Sequence, residues 1–209
     1  DFNKKKLDAI IKKAKEIKKN PKKFATKCKN KTLGMIFQKE STRTRVSFNV
    51  GFQKLGGNSI ELDAKSIGFG NRESYEDIIR TLSQYIDLLM IRNDDHNIIR
   101  QLSRLNALPI INGLSNLSHP CQILSDLLTI KEKLGKIENQ NVTWIGDYNN
   151  VLRSLIELQN LYKFKLNIVM PKEIIKKNKS ILSKENKKNL IITSNINDGV
   201  INADCVMTD

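Results

Sequence analysis

The sequence predicts an α/β protein made of two open parallel-sheet domains with helices on both faces, the second domain incomplete. Three observations carry this. Short apolar runs of strand length alternate with longer stretches whose apolar residues recur at helical spacing. Clusters of polar residues fall where a strand gives way to a helix. No apolar run approaches the ~20 residues needed to cross a bilayer.

In chain order, Leu7, Ile10, Ile11, Ala14 and Ile17 form one apolar stripe on a helix over 7–19, with lysines opposite. Thr32–Phe37 (TLGMIF) reads as a strand. Ser41 and Thr42 follow as caps for a helix carrying Val46, Phe48 and Phe52, which Gly56-Gly57 ends. Ser59–Leu62 is a strand, Glu73–Tyr85 a helix, and Leu88–Ile91 (LLMI) a buried strand. A helix over Asn97–Leu105 precedes a strand at Pro109–Ile111. After His119-Pro120, Ile123, Leu124, Leu127, Leu128, Ile130 and Leu134 mark a long amphipathic helix that Gly135 stops. Lys136–Asn141 reads as a hinge. Strand Val142–Ile145 (VTWI), helix Val151–Tyr162, strand Leu166–Met170, a basic helical stretch and strands Leu190–Thr193 and Cys205–Met207 complete the chain.

The net charge of +14 raises the question of a nucleic-acid partner. Thirteen lysines lie within residues 4–31 and nine within 163–188, but neither stretch interleaves aromatics with its basic residues as single-strand binders do. Both read as solvated helix faces, so neither nucleic acid nor membrane is expected as a partner. Cys28, Cys121 and Cys205 are scattered and odd in number, which excludes a disulfide framework and a structural zinc site. Only His96 and His119 are available for a histidine metal site, so no metal and no cofactor is expected. The thiols fit a reducing, cytoplasmic setting, or a mitochondrial matrix if a transit peptide has been removed.

Three clusters carry chemistry. In Phe37–Arg45 a strand enters a turn of hydroxyl and guanidinium residues and a helix starts. Unpaired first-turn amides, a positive macrodipole end, hydroxyl donors and a bidentate arginine together make an anion site. Capped exposed arginines would be the plainer outcome. His119-Pro120-Cys121-Gln122 opens the long helix, and Gly146-Asp147-Tyr148-Asn149-Asn150 opens another, where amides suit a polar amino acid or ordinary capping. All three follow strands, at the end where open α/β sheets gather ligands.

Ser-Thr-Arg-Thr-Arg (Ser41–Arg45), Met90-Ile91-Arg92, Ile111-Asn112-Gly113-Leu114, His119–Gln122 and Trp144-Ile145-Gly146-Asp147 stand in the order of ornithine carbamoyltransferases, and the chain resembles that family from about residue 7 onward. The resemblance implies a carbamoyl phosphate-binding domain over 1–135 and the first part of an ornithine-binding domain over 136–209. It implies that Ser41, Thr42, Arg43 and Thr44 hold the phosphate of carbamoyl phosphate, and that Arg92, His119 and Gln122 surround its carbamoyl group. Asn150 and Asp209 would bind L-ornithine. The implied reaction carbamoylates the δ-amine, giving L-citrulline and phosphate, in a homotrimer or a multiple of trimers. Arg92, His119 and Thr44 are the expected oxyanion donors, and Cys121 is expected to pack, not attack.

Putrescine, acetylated ornithine or aspartate as acceptor, or a non-catalytic carbamoyl phosphate-binding module, are the alternatives. Two positions depart from the family pattern. Gly68 stands where a glutamine reaching a neighbouring subunit is usual, and Arg153 where a small or imidazole side chain is usual. The family's Ser-Met-Gly loop and His-Cys-Leu-Pro motif are absent from the sequence, so this piece alone is expected to be inactive.

Overall fold

The chain runs α1 (Lys4–Lys19), α2 (Pro21–Phe24), β1 (Thr32–Phe37), α3 (Thr42–Lys54), β2 (Asn58–Asp63), α4 (Tyr75–Leu82), β3 (Leu88–Arg92), α5 (His96–Arg104) and β4 (Ile110–Leu114). It continues with α6 (Pro120–Lys133), β5 (Asn141–Ile145), α7 (Asn150–Tyr162), β6 (Lys165–Val169), α8 (Lys172–Lys177), α9 (Lys179–Leu182), β7 (Leu190–Thr193), α10 (Ile196–Val200) and β8 (Cys205–Thr208). This is a computed structural model, and it describes residues 2–38, 41–69, 72–183 and 189–208. Two units result, one of Lys12–Cys121 and the other of Asp1–Ile11 with Gln122–Asp209.

In the unit Lys12–Cys121 the sheet order is β2-β1-β3-β4, with every pairing parallel. Side chains alternate across a strand, so β1 serves two cores. Leu33, Met35 and Phe37 join Met90 on one face, with Phe48 and Phe52 of α3 packed against them. Ile36 faces the other way, with Leu89 and Ile91, onto Ile78 and Ile79 of α4 and Ile99 and Leu102 of α5. The helix expected over Glu73–Tyr85 shortens at its start because Ser74 caps it, its Oγ accepting from the Asp77 amide at 3.1 Å.

The other unit has the order β7-β6-β5-β8, again all parallel. Trp144, Leu152, Leu155 and Leu166 lie in its core with Ile123, Leu127 and Ile130 of α6 and Leu7 and Ile11 of α1. By packing, Ile123, Leu127 and Ile130 of α6 go with this second sheet. The apolar stripe of α6 is buried by β5 and α7, and that decides its side. Helix α10 was not anticipated. Its Gly199 carbonyl accepts from Thr143 Oγ1 at 2.6 Å and Asn167 Nδ2 at 3.1 Å, and a Cβ at Gly199 would run into Val169.

A polar cluster ties α1 to α6 and α7 within this unit. Asp8 Oδ1 accepts from Lys131 Nζ at 2.7 Å and Tyr162 Oη at 2.8 Å, while Oδ2 faces Lys4 Nζ at 3.2 Å. Partial burial alone would raise the Asp8 carboxyl, but hydrogen bonds from Lys131, Tyr162 and Lys4 outweigh it and bring its pKa down to about 2. That lies below the ordinary 3.8, so the stabilisation is complete above about pH 4 and is lost as the pH falls toward about 2. Asp8→Asn is expected to lower stability near neutral pH by about 1 kcal/mol, a value discounted for the solvent screening of a side chain that is 39% exposed. Denaturant melts of the variant and parent should converge near pH 2.

Candidate functional site

In each sheet the strand order reverses once, between β1 and β3 in one and between β5 and β8 in the other. The crevice at the carboxyl ends of such strands is where open α/β sheets take ligands. The first reversal is stitched beyond the last ladder pair, Phe37 with Arg92. The Gln38 amide donates to the Arg92 carbonyl at 3.0 Å, and Gln38 Oε1 accepts from the Asp94 amide at 3.0 Å. Between β3 and β4 the register slips at Ile91/Arg92, a bulge in which Gly113 of β4 is the extra residue. Gly113 fits there because a Cβ would collide with the Met90 sulfur.

Arg92 reaches across the reversal point. Its Nη1 donates to Ser41 Oγ at 2.9 Å. Its Nε is buried and has no hydrogen-bond partner among the described residues. Ser41 does occupy the N-cap position of α3 with extended backbone, φ −157°, as expected. Its hydroxyl does not cap the helix, however, because the stronger partner is the guanidinium 51 residues away. The first-turn amides of α3 are therefore left to another acceptor. Thr42 and Arg43 are exposed on that turn and Thr44 is half-buried.

The turn's two arginines have different surroundings. Arg45 Nη2 pairs with Glu61 at 3.0 Å and its guanidinium lies 5.1 Å from the centre of the Phe37 ring, which commits it to the sheet. Arg43 stays at the surface. Lys39 and Glu40, between β1 and Ser41, lie outside the described residues.

His119 is half-buried and immediately precedes α6. Cys121 Sγ donates to the Asn112 carbonyl at 3.5 Å, and burial pushes its thiol up to about 11. A thiol so placed remains protonated near neutral pH and is no nucleophile. Gln122 is exposed and belongs to the other unit, where its Nε2 donates to Asp126 Oδ1 at 2.9 Å. Burial raises the Asp126 carboxyl, and that hydrogen bond pulls the opposite way.

In the second unit the turn after β5 is shaped by Trp144 Nε1 donating to the Asp147 carbonyl at 3.2 Å. Asn149 caps α7, its Oδ1 accepting from the Val151 and Leu152 amides at 3.0 Å. That leaves Asn150, the first residue of the helix, half-buried beside the β5/β8 reversal. Asp209, expected to share this end, lies outside the described residues, directly after β8. Arg153 is half-buried on the same helix. Gly68 has φ +63°, and a Cβ there would press on Arg72, so a glutamine would be strained in this backbone conformation.

Ser41 and Arg92 are thus brought into contact, and Thr42, Arg43, Thr44 and His119 lie in the same unit; Gln122 and Asn150 lie in the other. Sequence patterns do not single out His96 or Ser115, although the Asp95 cap three residues after Arg92 marks a helix start there. Among the described residues no group of three or more His, Cys, Asp or Glu could hold a metal ion, and no helix is long and apolar enough to cross a membrane.

Residues 1–132 match the family model described as aspartate/ornithine carbamoyltransferase, carbamoyl-P binding domain. Residues 138–209 match the Asp/Orn binding domain of the same family. An ornithine carbamoyltransferase of Mesorhizobium japonicum is 41% identical over 180 residues, which cover 86% of this chain and 59% of that protein. The chain thus spans about 59% of the length of that relative. The crystal structure of ornithine carbamoyltransferase from Burkholderia thailandensis E264 matches with a TM-score of 0.90 and 32% identity, over 100% of this chain and 72% of that one. The catalytic subunit of M. jannaschii aspartate transcarbamoylase matches with a TM-score of 0.84 and 28% identity, over 99% and 71%. With both family domains matched in order, and a parallel α/β fold shared throughout, the chain belongs to the aspartate/ornithine carbamoyltransferase family.

Proposed function

We propose that the full protein transfers the carbamoyl group of carbamoyl phosphate to the δ-amine of L-ornithine, giving L-citrulline and phosphate. The observation that carries this is Arg92, whose Nη1 holds Ser41 at the uncapped start of α3 and so sets a guanidinium beside it. A guanidinium at a helix start whose first-turn amides lack a side-chain cap suits an anionic ligand. Ser41, Thr42, Arg43 and Thr44 hold the phosphate. Arg92, His119 and Thr44 donate to the carbonyl oxygen as the neutral amine attacks and a tetrahedral oxyanion forms. Gln122 borders the carbamoyl amide. Phosphate then leaves and takes the amine's proton. No covalent enzyme intermediate is needed, in keeping with the inert Cys121 thiol.

Asn150 and Asp209 bind the amino-acid end of ornithine, with residues 1–135 serving the donor and 136–209 beginning the acceptor domain. Ornithine is favoured by the Asn149-Asn150 pair at the β5/β8 reversal and by the relative and the solved structure that carry its name. The likeness to the aspartate enzyme keeps aspartate as the second acceptor. The protein works in the cytoplasm as a homotrimer, in arginine synthesis or a urea-cycle type step.

Citrulline formation by the full-length protein, with aspartate and putrescine assayed alongside ornithine, tests this. Turnover with ornithine above the others is the expected result. Turnover with another amine moves the acceptor, and donor binding without any product leaves a binding module in its place.

A further inference from the structure

The segment between β4 and α6 ends at His119, and its shape depends on one buried hydroxyl. Ser115 is fully buried. Its Oγ accepts from the Leu117 amide at 3.3 Å and the Ser118 amide at 3.1 Å, closing a turn that the Ser115 amide fastens to the Ser118 carbonyl at 2.9 Å. Ser118 Oγ receives Asn112 Nδ2 at 2.9 Å, so the residue just before His119 is also tied to β4. The same Ser115 Oγ lies 2.8 Å from His96 Nδ1.

A hydroxyl accepts through two lone pairs and donates one proton. Two amides fill the lone pairs of Ser115. Of the acceptors near its proton, the Ser118 carbonyl and Ser118 Oγ both lie at 3.5 Å and His96 Nδ1 at 2.8 Å, and the shortest contact is favoured. With Nδ1 as the acceptor of this hydroxyl, the imidazole is neutral and carries its proton on Nε2. His96 itself begins α5, only four residues beyond Arg92. Asp95 caps that helix through Asn97, and Asn93 Oδ1 holds the Asp95 amide at 2.8 Å. The Asn93 amide bonds the Leu114 carbonyl at 3.1 Å and the Asn116 amide the Asp94 carbonyl at 3.0 Å. The turn after β3, which starts at Arg92, and the turn after β4, which ends at His119, are one latched structure.

We propose that His96 is a positioning residue for carbamoyl transfer, its neutral imidazole locking through Ser115 the turn that sets His119 against Arg92. This rests on the functional reading above, in which both residues face the carbamoyl oxygen. His96 touches no reacting atom. It acts by fixing the spacing of two donors, where a displacement of about 1 Å costs on the order of 10²-fold in rate.

The test uses His96→Ala and His96→Asn. The asparagine amide oxygen takes the place of Nδ1 as acceptor for the Ser115 hydroxyl, whereas alanine leaves that hydroxyl without it. Nitrogen-15 NMR, with the His96 signals assigned by their loss in His96→Ala, reads the tautomer directly. The expected result is an unprotonated Nδ1 on His96 near neutral pH. Hydrogen exchange at Leu117 and Ser118 should quicken about tenfold in the alanine variant and stay near the parent rate in the asparagine variant. In citrulline assays alanine should lower kcat by about tenfold or more with little change in KM for carbamoyl phosphate, and asparagine should restore it. A protonated Nδ1, unchanged exchange in His96→Ala, or failure of asparagine to rescue kcat overturns the proposal. A parent protein with the expected tautomer and exchange that makes no citrulline overturns the functional reading instead and upholds the latch.

Discussion

Replacing Arg92 with methionine is expected to lower citrulline turnover of the full-length protein by about 10²–10³-fold. Two losses add. The guanidinium that faces the developing oxyanion disappears, and Ser41 Oγ loses the donor that holds it at 2.9 Å. Methionine keeps an unbranched side chain of similar reach at the half-buried end of β3, so the ladder from Leu88 to Ile91 is unaffected. Thermal melts of the variant should stay close to the parent, because the buried Nε is an unsatisfied donor whose removal relieves a cost. Turnover within tenfold of the parent would sink the assignment of Arg92 as an oxyanion donor.

Arg43→Ala should weaken carbamoyl phosphate binding by about 10²-fold, read by calorimetric titration. A bidentate guanidinium–phosphate contact is among the strongest single contacts available to an anion site. Arg43 is exposed in the first turn of α3, a helix with no fully buried residue, and alanine is the better helix former, so the fold should survive. Arg45→Ala is the internal control. That side chain is held by Glu61 and Phe37, so its loss should show in stability more than in donor affinity. Unchanged donor affinity in Arg43→Ala would remove the phosphate site from this turn.

Strands were legible where an apolar run is bounded sharply by polar residues. Thr32–Phe37 and Leu190–Thr193 have the bounds that the sequence predicts. Pro109 was placed in a strand and lies just before it, because a proline has no amide to give the ladder and only its carbonyl is used, by Leu89. Helix α10 was hidden because what fixes it is remote: a glycine carbonyl meeting Thr143 and Asn167. Strand-following polar clusters located the ends of the sheets that carry the candidate site. What the residue pattern could not reveal were pairings across the fold. Ser41 looks like an ordinary cap until Arg92, a crossover away, claims its hydroxyl. His96 looks like a lone surface histidine until Ser115 is found beside it.

Every pairing in both sheets is parallel, and this governs how the protein must form as well as what it becomes. A hairpin can close within a few residues of chain, but each of these pairs waits for a crossover to be ordered first. The loop-closure entropy is met before the ladder returns anything, so folding is slow for a chain of this size. During that interval the edge strands are the exposed surfaces. Ile60 on β2, an edge of the first sheet, remains 46% exposed even when folded. Unpaired parallel edges with apolar side chains invite pairing between molecules, so yield on refolding should fall steeply with protein concentration.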